Sequence, residues 1–246
     1  MWSWRSRRSG RSEPSHGPRR RTDKSVIGEC PSVEQFAILE GSARTGPIYF
    51  LPWRTGFGLA QKVGLIPNSA FAACYRLPDD VVCPNPLICA ARIGDMVDIA
   101  VRRARLHDLP RAVVGYSMGT VPATLVAAAL GVPLWSFASA DRGDLMIWSS
   151  PAARTVQRDA VRMGFSRNDF SIALRNLNPI DSIHSVHRDS RIVVGRFDRL
   201  IPRARSQALA ERARRYLPTK NVVELPLGHL GVLGLSPWLQ RRWMAG

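Results

Sequence analysis

A serine flanked at two positions on either side by glycine is a spacing that can arm a hydroxyl. In Gly115-Tyr116-Ser117-Met118-Gly119 the serine stands between an apolar run, Ala112-Val113-Val114, and a second apolar stretch, Val121 to Leu130. The first reads as a short buried strand and the second as a helix packed inside against a sheet. A side chain held on so tight a strand-to-helix turn is presented at the sheet edge, and its neighbours two residues away must be small for the chain to fold back. The turn also sets the Met118 N–H at a helix N-terminus, where an anion developing on a substrate carbonyl is stabilised. The spacing alone is a weak signal; its place between strand and helix is what gives it weight.

A serine hydroxyl needs a base, and the base needs an orienting carboxylate. Of five histidines, His16 lies near the N-terminus, His107 closes a helix before Pro110, and His184 and His187 precede a strand. His229 alone follows a strand, in a stretch Leu227-Gly228-His229-Leu230-Gly231 that reads as a loop. The carboxylate in a matching position is Asp198, three residues past the strand Arg191 to Gly195; Asp141, after the preceding strand, is the competing choice. Ser117, Asp198 and His229 are thus each expected just beyond the C-terminal end of a parallel strand, the edge where open α/β sheets bind ligands.

The elements that must position these residues alternate between strand-like and helix-like patterns, which implies an α/β fold with a mostly parallel central sheet flanked by helices. Strands are expected at Val33 to Leu39, Ile48 to Leu51, Asp80 to Cys83, Ala112 to Gly115, Trp135 to Ala140, Arg191 to Gly195 and Asn221 to Leu225. A helix is expected after Gly94, capped by Asp95, with Val97, Ala100, Val101 and Ala104 on one face. Pro202 opens another, with Leu209, Ala213, Tyr216 and Leu217 together. Ser236-Pro237 reads as the start of a terminal helix. Residues 141–187 lack strand pattern and are expected to form a short cap with helical pieces at Ala153 to Met163 and Asp169 to Leu177. Its aromatic residues Trp148, Phe165 and Phe170 read as core rather than as the lining of an acyl pocket.

Three segments together resemble the nucleophile, acid and histidine motifs of the α/β-hydrolase superfamily, in its serine esterase and lipase-like members: Val114-Gly115-Tyr116-Ser117-Met118-Gly119, Val194-Gly195-Arg196-Phe197-Asp198-Arg199-Leu200-Ile201-Pro202, and Leu227-Gly228-His229. The order serine, aspartate, histidine is that of the superfamily. The resemblance runs from about Val33 to the C-terminus. It implies Ser117 as nucleophile, His229 as general base then acid, Asp198 as orienting carboxylate and the Met118 N–H as one oxyanion donor. The usual His-Gly before the second oxyanion donor is replaced by Leu51-Pro52-Trp53-Arg54-Thr55-Gly56, so that donor falls to the Arg54 or Thr55 backbone. The implied activity is carboxylesterase-like cleavage of a small-molecule acyl ester through an acyl-enzyme, with no cofactor and no metal. The same triad serves an acyltransferase, a thioesterase or an amidase, and a non-catalytic binding protein on this fold stays open as a different class.

The 246 residues carry a formal charge of +16, but 32 of the 35 basic residues are arginine and they are spread along the chain. Their densest cluster lies in residues 1–24, a Ser-, Gly- and Arg-rich stretch expected to form a disordered basic tail ahead of one domain over 25–246. Weak contact of that tail with anionic lipid or nucleic acid is the most the charge implies. Cys30, Cys74, Cys83 and Cys89 show no CxxC spacing, so free thiols are favoured over a metal site, with one disulfide left open. His184 and His187 beside Asp181 have metal-ligand types but no frame to hold them, and Asp79-Asp80 would point to opposite faces of a strand. The sequence has no apolar run long enough for a transmembrane segment and no secretory signal pattern, which makes a cytoplasmic location the expectation.

Overall fold

In the strands of this chain, apolar residues run without polar interruption: Ile48-Tyr49-Phe50, Val113-Val114-Gly115-Tyr116 and Ile192-Val193-Val194 are all buried. Such strands must be covered on both faces, and the computed structural model shows how; it describes residues 36–68 and 70–245. Seven strands, β1 (Ile38–Glu40), β2 (Ile48–Phe50), β3 (Ala73–Tyr75), β4 (Val113–Tyr116), β5 (Leu134–Phe137), β6 (Arg191–Gly195) and β7 (Val222–Leu225), form one sheet in the order β1-β3-β2-β4-β5-β6-β7. β1 pairs antiparallel with β3; every other pairing is parallel. Among the described residues no helix is long and apolar enough to cross a membrane.

Side-chain alternation along each strand divides the core into two halves. Ile48, Phe50, Val113, Ile192 and Val194 face α2 (Pro86–Arg105), α3 (Thr120–Leu130) and α8 (Arg203–Ala213). Tyr49, Val114, Tyr116, Phe137 and Val193 face α1 (Phe57–Lys62) and α9 (His229–Ala245). Between β5 and β6 the chain forms α4 (Gly143–Ser149), α5 (Arg154–Arg162), α6 (Arg167–Ala173) and α7 (Pro179–Ser182), the strandless cap expected over 141–187. Phe170 is wholly buried and meets Trp148 edge-on at 5.7 Å, and Phe165 packs on the same core, so the three aromatic residues hold the cap down. The buried Asp144 carboxylate pairs with the partly exposed Arg142 and accepts from the Ser171 hydroxyl at 2.8 Å, which ties α4 to α6.

Several local expectations are corrected. Asp80 to Cys83 is not a strand: a 3-10 turn forms over Asp79–Val81, closed by Val81 N–H to Pro78 O at 3.2 Å. The strand in that part of the chain is the three-residue β3, too short to show a period. The helix expected from Asp95 begins at Pro86, because Asn85 caps it by accepting the Leu87 N–H at 3.0 Å and a proline at the first helical position gives up no bond. Ser236-Pro237 does not start the last helix but lies inside α9. Pro237 has no N–H for the Leu233 carbonyl four residues back, and the Ser236 hydroxyl donates to that carbonyl at 2.7 Å instead. Tyr216 is exposed under the Arg212 guanidinium, not on the buried face shared by Leu209, Ala213 and Leu217. The first strand is Ile38–Glu40, and residues 33–35 of the expected Val33 to Leu39 run lie outside the described residues, as does the basic stretch 1–24.

Phe170→Ala is expected to lower stability by about 3–5 kcal/mol, the range for truncating a buried aromatic. Urea denaturation of the variant against the parent chain measures it; a change under about 1 kcal/mol would mean that the cap is not anchored through this ring.

Candidate active site

The strand order reverses its direction of growth at one place, between β2 and β4. From β2 the chain moves outward to β3; from β4 it moves the other way to β5. The segments leaving the C-terminal ends of these two neighbouring strands therefore diverge and leave a crevice. With Phe50 paired to Gly115, the crevice lies between the Pro52-Trp53-Arg54 loop and Ser117.

Ser117 has φ +51, in the left-handed region that costs a residue with a Cβ about 1–2 kcal/mol. The surroundings hold it there. Gly115 sits on the face of β4 that meets α3, where a Cβ would lie 2.6 Å from the Ala123 Cβ and 2.8 Å from the Thr120 Cα. A Cβ on Gly119 would lie 2.5 Å from the carbonyl oxygens of both Phe50 and Leu51. Both glycines are thus required by close backbone approach, one to α3 and one to the end of β2. The Thr120 hydroxyl donates to the Ser117 carbonyl at 2.6 Å, closing the turn from its helical side. On the other face the Tyr116 ring is stacked between Tyr49 and Phe137, and its hydroxyl donates to the Leu65 carbonyl and accepts from Gln240 Nε2 at 2.6 Å. Full burial pushes the Tyr116 phenol well above its usual range, so it stays a neutral part of this network.

Asp198 and His229 meet directly, with Nδ1 of His229 2.7 Å from Oδ2 of Asp198, both side chains nearly excluded from solvent. The other carboxylate oxygen, Oδ1, accepts the Leu200 and Ile201 N–H groups at 2.8 and 2.9 Å, which fixes the carboxylate plane and leaves Oδ2 for the imidazole. Backbone bonds bring the two segments together: Arg196 N–H to Leu225 O at 2.8 Å and Phe197 N–H to Leu227 O at 3.0 Å. Gly195 permits this, since a Cβ there would stand 2.7 Å from the Leu227 carbonyl oxygen. His229 is not in a loop, as its flanking glycines suggested, but is the first residue of α9. Asp141 is engaged elsewhere, its carboxylate 3.0 Å from the Arg205 guanidinium; burial raises its pKa while Arg205 opposes that shift.

Ser117 and His229 share the wall of one cavity of about 570 Å³. The rest of that wall is mostly apolar, from Trp53, Leu65, Met118, Met146, Ile147 and Leu233 among others, and among the described residues it includes no Asp, Glu, Lys or Arg. α4 and the turn after it supply the cap's share, while Trp148, Phe165 and Phe170 are not in the wall. Arg54, with φ +61, is outside it too, its guanidinium stacked on the Trp53 ring at 4.1 Å.

Met118 lies in the first turn of the helical run after Ser117, where N–H groups lack intrahelical acceptors. Thr55 is corrected as a candidate donor, because its N–H is committed to the Pro52 carbonyl at 3.1 Å. The N–H groups of Trp53 and Arg54 make no hydrogen bond among the described residues, and Trp53, which sequence reasoning passed over, lines the cavity. Thr120 was also missed; a hydroxyl three residues after the serine, at the head of an apolar helix, is the signal that could have found it. His184 and His187 do not converge: one ring leans on Tyr216 and the other accepts the Asp189 N–H at 3.2 Å.

No family model matches the sequence, and no curated protein does. Solved structures do match. The Thermus thermophilus protein TT1662 aligns over 86% of this chain and 94% of its own, with TM-score 0.55 and 14% identity. The 2,6-dihydroxy-pseudo-oxynicotine hydrolase aligns over 85% of this chain and 62% of its own, with TM-score 0.53 and 14% identity. Puromycin hydrolase aligns over 82% and 35%, with TM-score 0.52 and 13% identity, so this chain spans about a third of that protein's length. At such identities the likeness concerns the fold, and the chain has the α/β-hydrolase fold.

Gly119→Ala is expected to displace the Ser117 turn, since the added methyl meets two backbone oxygens rather than movable side chains. The expected loss is about 1–3 kcal/mol of stability, as for overpacking of a close-packed site. Thermal unfolding measures it, with Gly94→Ala, whose added Cβ meets nothing within 4 Å, as the control expected not to be destabilised.

Proposed function

We propose that this chain is a serine hydrolase that cleaves an uncharged, largely apolar carboxylic ester, with Ser117 as nucleophile, His229 as base and acid, and Asp198 as the orienting carboxylate. The observation that carries the reading is the 2.7 Å Asp198–His229 bond, made at the wall of the same cavity that holds Ser117 on its left-handed turn.

The chemistry follows from those positions. Asp198 accepts a proton-bearing Nδ1, which fixes the tautomer and leaves the Nε2 lone pair for the serine proton. As the Ser117 Oγ attacks the ester carbonyl carbon, Nε2 takes that proton and the carbonyl oxygen becomes an oxyanion. The Met118 N–H stabilises it from one side; the N–H groups of Trp53 and Arg54 are those left in the facing loop to supply a second donor. Collapse of the tetrahedral species breaks the ester C–O bond, and Nε2 returns its proton to the leaving alcohol. Water, deprotonated by the same nitrogen, then attacks the acyl-enzyme; collapse breaks the bond to the Ser117 Oγ, Nε2 returns the proton to that oxygen, and the acid is released.

The cavity wall supports the substrate class. An acyl chain gains about 0.8 kcal/mol per methylene on leaving water for an apolar wall, or about fourfold in binding. A carboxylate or ammonium on that chain would lose its hydration with no opposite charge among the described residues of the wall to replace it.

A fluorophosphonate probe is expected to label the protein once, at Ser117, with no labelling of Ser117→Ala. Asp198→Asn should lower ester turnover on the order of 10³–10⁴-fold. A folded protein that never reacts with the probe would overturn the assignment. In a p-nitrophenyl ester series, kcat/KM is expected to rise about three- to fourfold per added methylene until the cavity is filled. It should fall at least about tenfold when the same chain ends in a carboxylate; equal rates for charged and uncharged chains would refute the substrate class.

A further inference from the structure

We propose that Cys83 and Cys89 form an oxidisable dithiol, a site that closes reversibly to a disulfide by exchange with a small-molecule disulfide. The two lie at either side of the α2 N-cap, Asn85: Cys83 two residues before it and Cys89 in the first turns of the helix. Their sulfurs are 3.7 Å apart and already in mutual contact. The Cys89 sulfur also lies 3.4 Å from both the Cys83 carbonyl oxygen, to which it donates, and the Cys83 N–H, from which it accepts. A disulfide needs about 2.0 Å between sulfurs, an approach within reach of side-chain rotation when the backbone of one residue already cradles the sulfur of the other.

The pair is also asymmetric in the way exchange requires. Cys83 is partly exposed, whereas Cys89 is fully buried. The contact with the Cys89 sulfur lowers the Cys83 thiol to about 7 against the opposing effect of its own burial, while that same contact and burial push Cys89 up. Cys83 is therefore the attacking thiolate and Cys89 the resolving thiol. Cys74 offers a contrast within the same chain: it is fully buried, and burial alone pushes its thiol up.

With glutathione disulfide as the oxidant, the Cys83 thiolate attacks one of its sulfurs, forming a mixed disulfide and expelling one glutathione thiolate. Cys89 gives its proton to solvent and attacks the Cys83 sulfur, expelling the second glutathione. The two protein thiols lose two electrons and two protons, and one glutathione disulfide becomes two glutathione molecules. The bond forms in a sensitive place. Val82, next to Cys83, lines the cavity, and the Trp53 indole donates to the Asp79 carbonyl at 3.1 Å on the same short segment.

The test uses the full chain carrying Cys30→Ser, which leaves Cys74 as the only other thiol. The reduced protein is incubated with glutathione disulfide, quenched with acid and N-ethylmaleimide, and mapped by mass spectrometry. The expected result is one Cys83–Cys89 linked peptide with Cys74 alkylated, reversed by dithiothreitol. Adding Cys89→Ser should trap a single stable glutathione adduct on Cys83; adding Cys83→Ser should leave Cys89 unmodified. Two free thiols, a lasting Cys83 adduct with Cys89 present, or a link to Cys74 would each overturn the proposal. None of these readouts depends on whether Ser117 is catalytic.

Discussion

Backbone approaches backbone at two points, and the site depends on both. At Gly115 the strand β4 lets α3 come close enough that a methyl would strike Thr120 and Ala123; at Gly119 the first turn of that helix rests on the terminal carbonyls of β2. The two contacts force the chain through the left-handed conformation at Ser117 and set the serine beside the loop that leaves β2. Strain at one residue persists because the packing around it over-determines the geometry. Thr120, bonded to the Ser117 carbonyl, and Tyr116, clamped between rings and hydrogen-bonded at its hydroxyl, fix the residues on either side.

A second constraint assembles the other half of the site. The bonds from Arg196 and Phe197 to Leu225 and Leu227 continue the pairing of β6 with β7 beyond the strands, and so deliver Asp198 to His229. The Asp198 carboxylate is held by two backbone N–H groups, and no Lys or Arg among the described residues pairs with it. Charge is handled differently in the cap, where Arg142–Asp144 and Arg205–Asp141 neutralise buried carboxylates away from the cavity. Among the described residues the cavity wall is left without a carboxylate, ammonium or guanidinium, although the chain as a whole is strongly basic.

Sequence patterns located these residues better than they described the elements around them. Ser117, Asp198 and His229 were legible because each follows a strand of four or five residues, and their order along the chain added a further restriction. β3 was not legible: Ala73-Cys74-Tyr75 is too short to display alternation, and the β-branched run at Val81-Val82 competed with it. The start of α2 was misread because the Asn85-Pro86 cap signal is followed by Leu87-Ile88-Cys89-Ala90, which shows no clear stripe, whereas the Val97 to Ala104 face is regular. Pro237 misled for a physical reason, since a neighbouring serine hydroxyl takes up the carbonyl that proline leaves free. Sequence reasoning reached the loop of the candidate second donor, at Arg54 or Thr55, but could not choose within it, because a backbone N–H has no side-chain signature and the commitment of Thr55 to Pro52 is visible only in three dimensions.

The helix α9 begins with His229 and, three turns later, presents Gln240 to the hydroxyl of Tyr116, a contact across 124 positions of sequence. One element therefore carries the imidazole and also braces the residue next to the serine. Contacts so distant along the chain carry a loop-closure entropy that local contacts do not. A chain with β4 and α3 in place but α9 unfolded would hold Ser117 without the His229 imidazole and its turn without the Gln240 brace. If Ser117 and His229 act as proposed, reactivity would report completion of the fold, since local unfolding of α9 alone would remove the imidazole before the sheet opens.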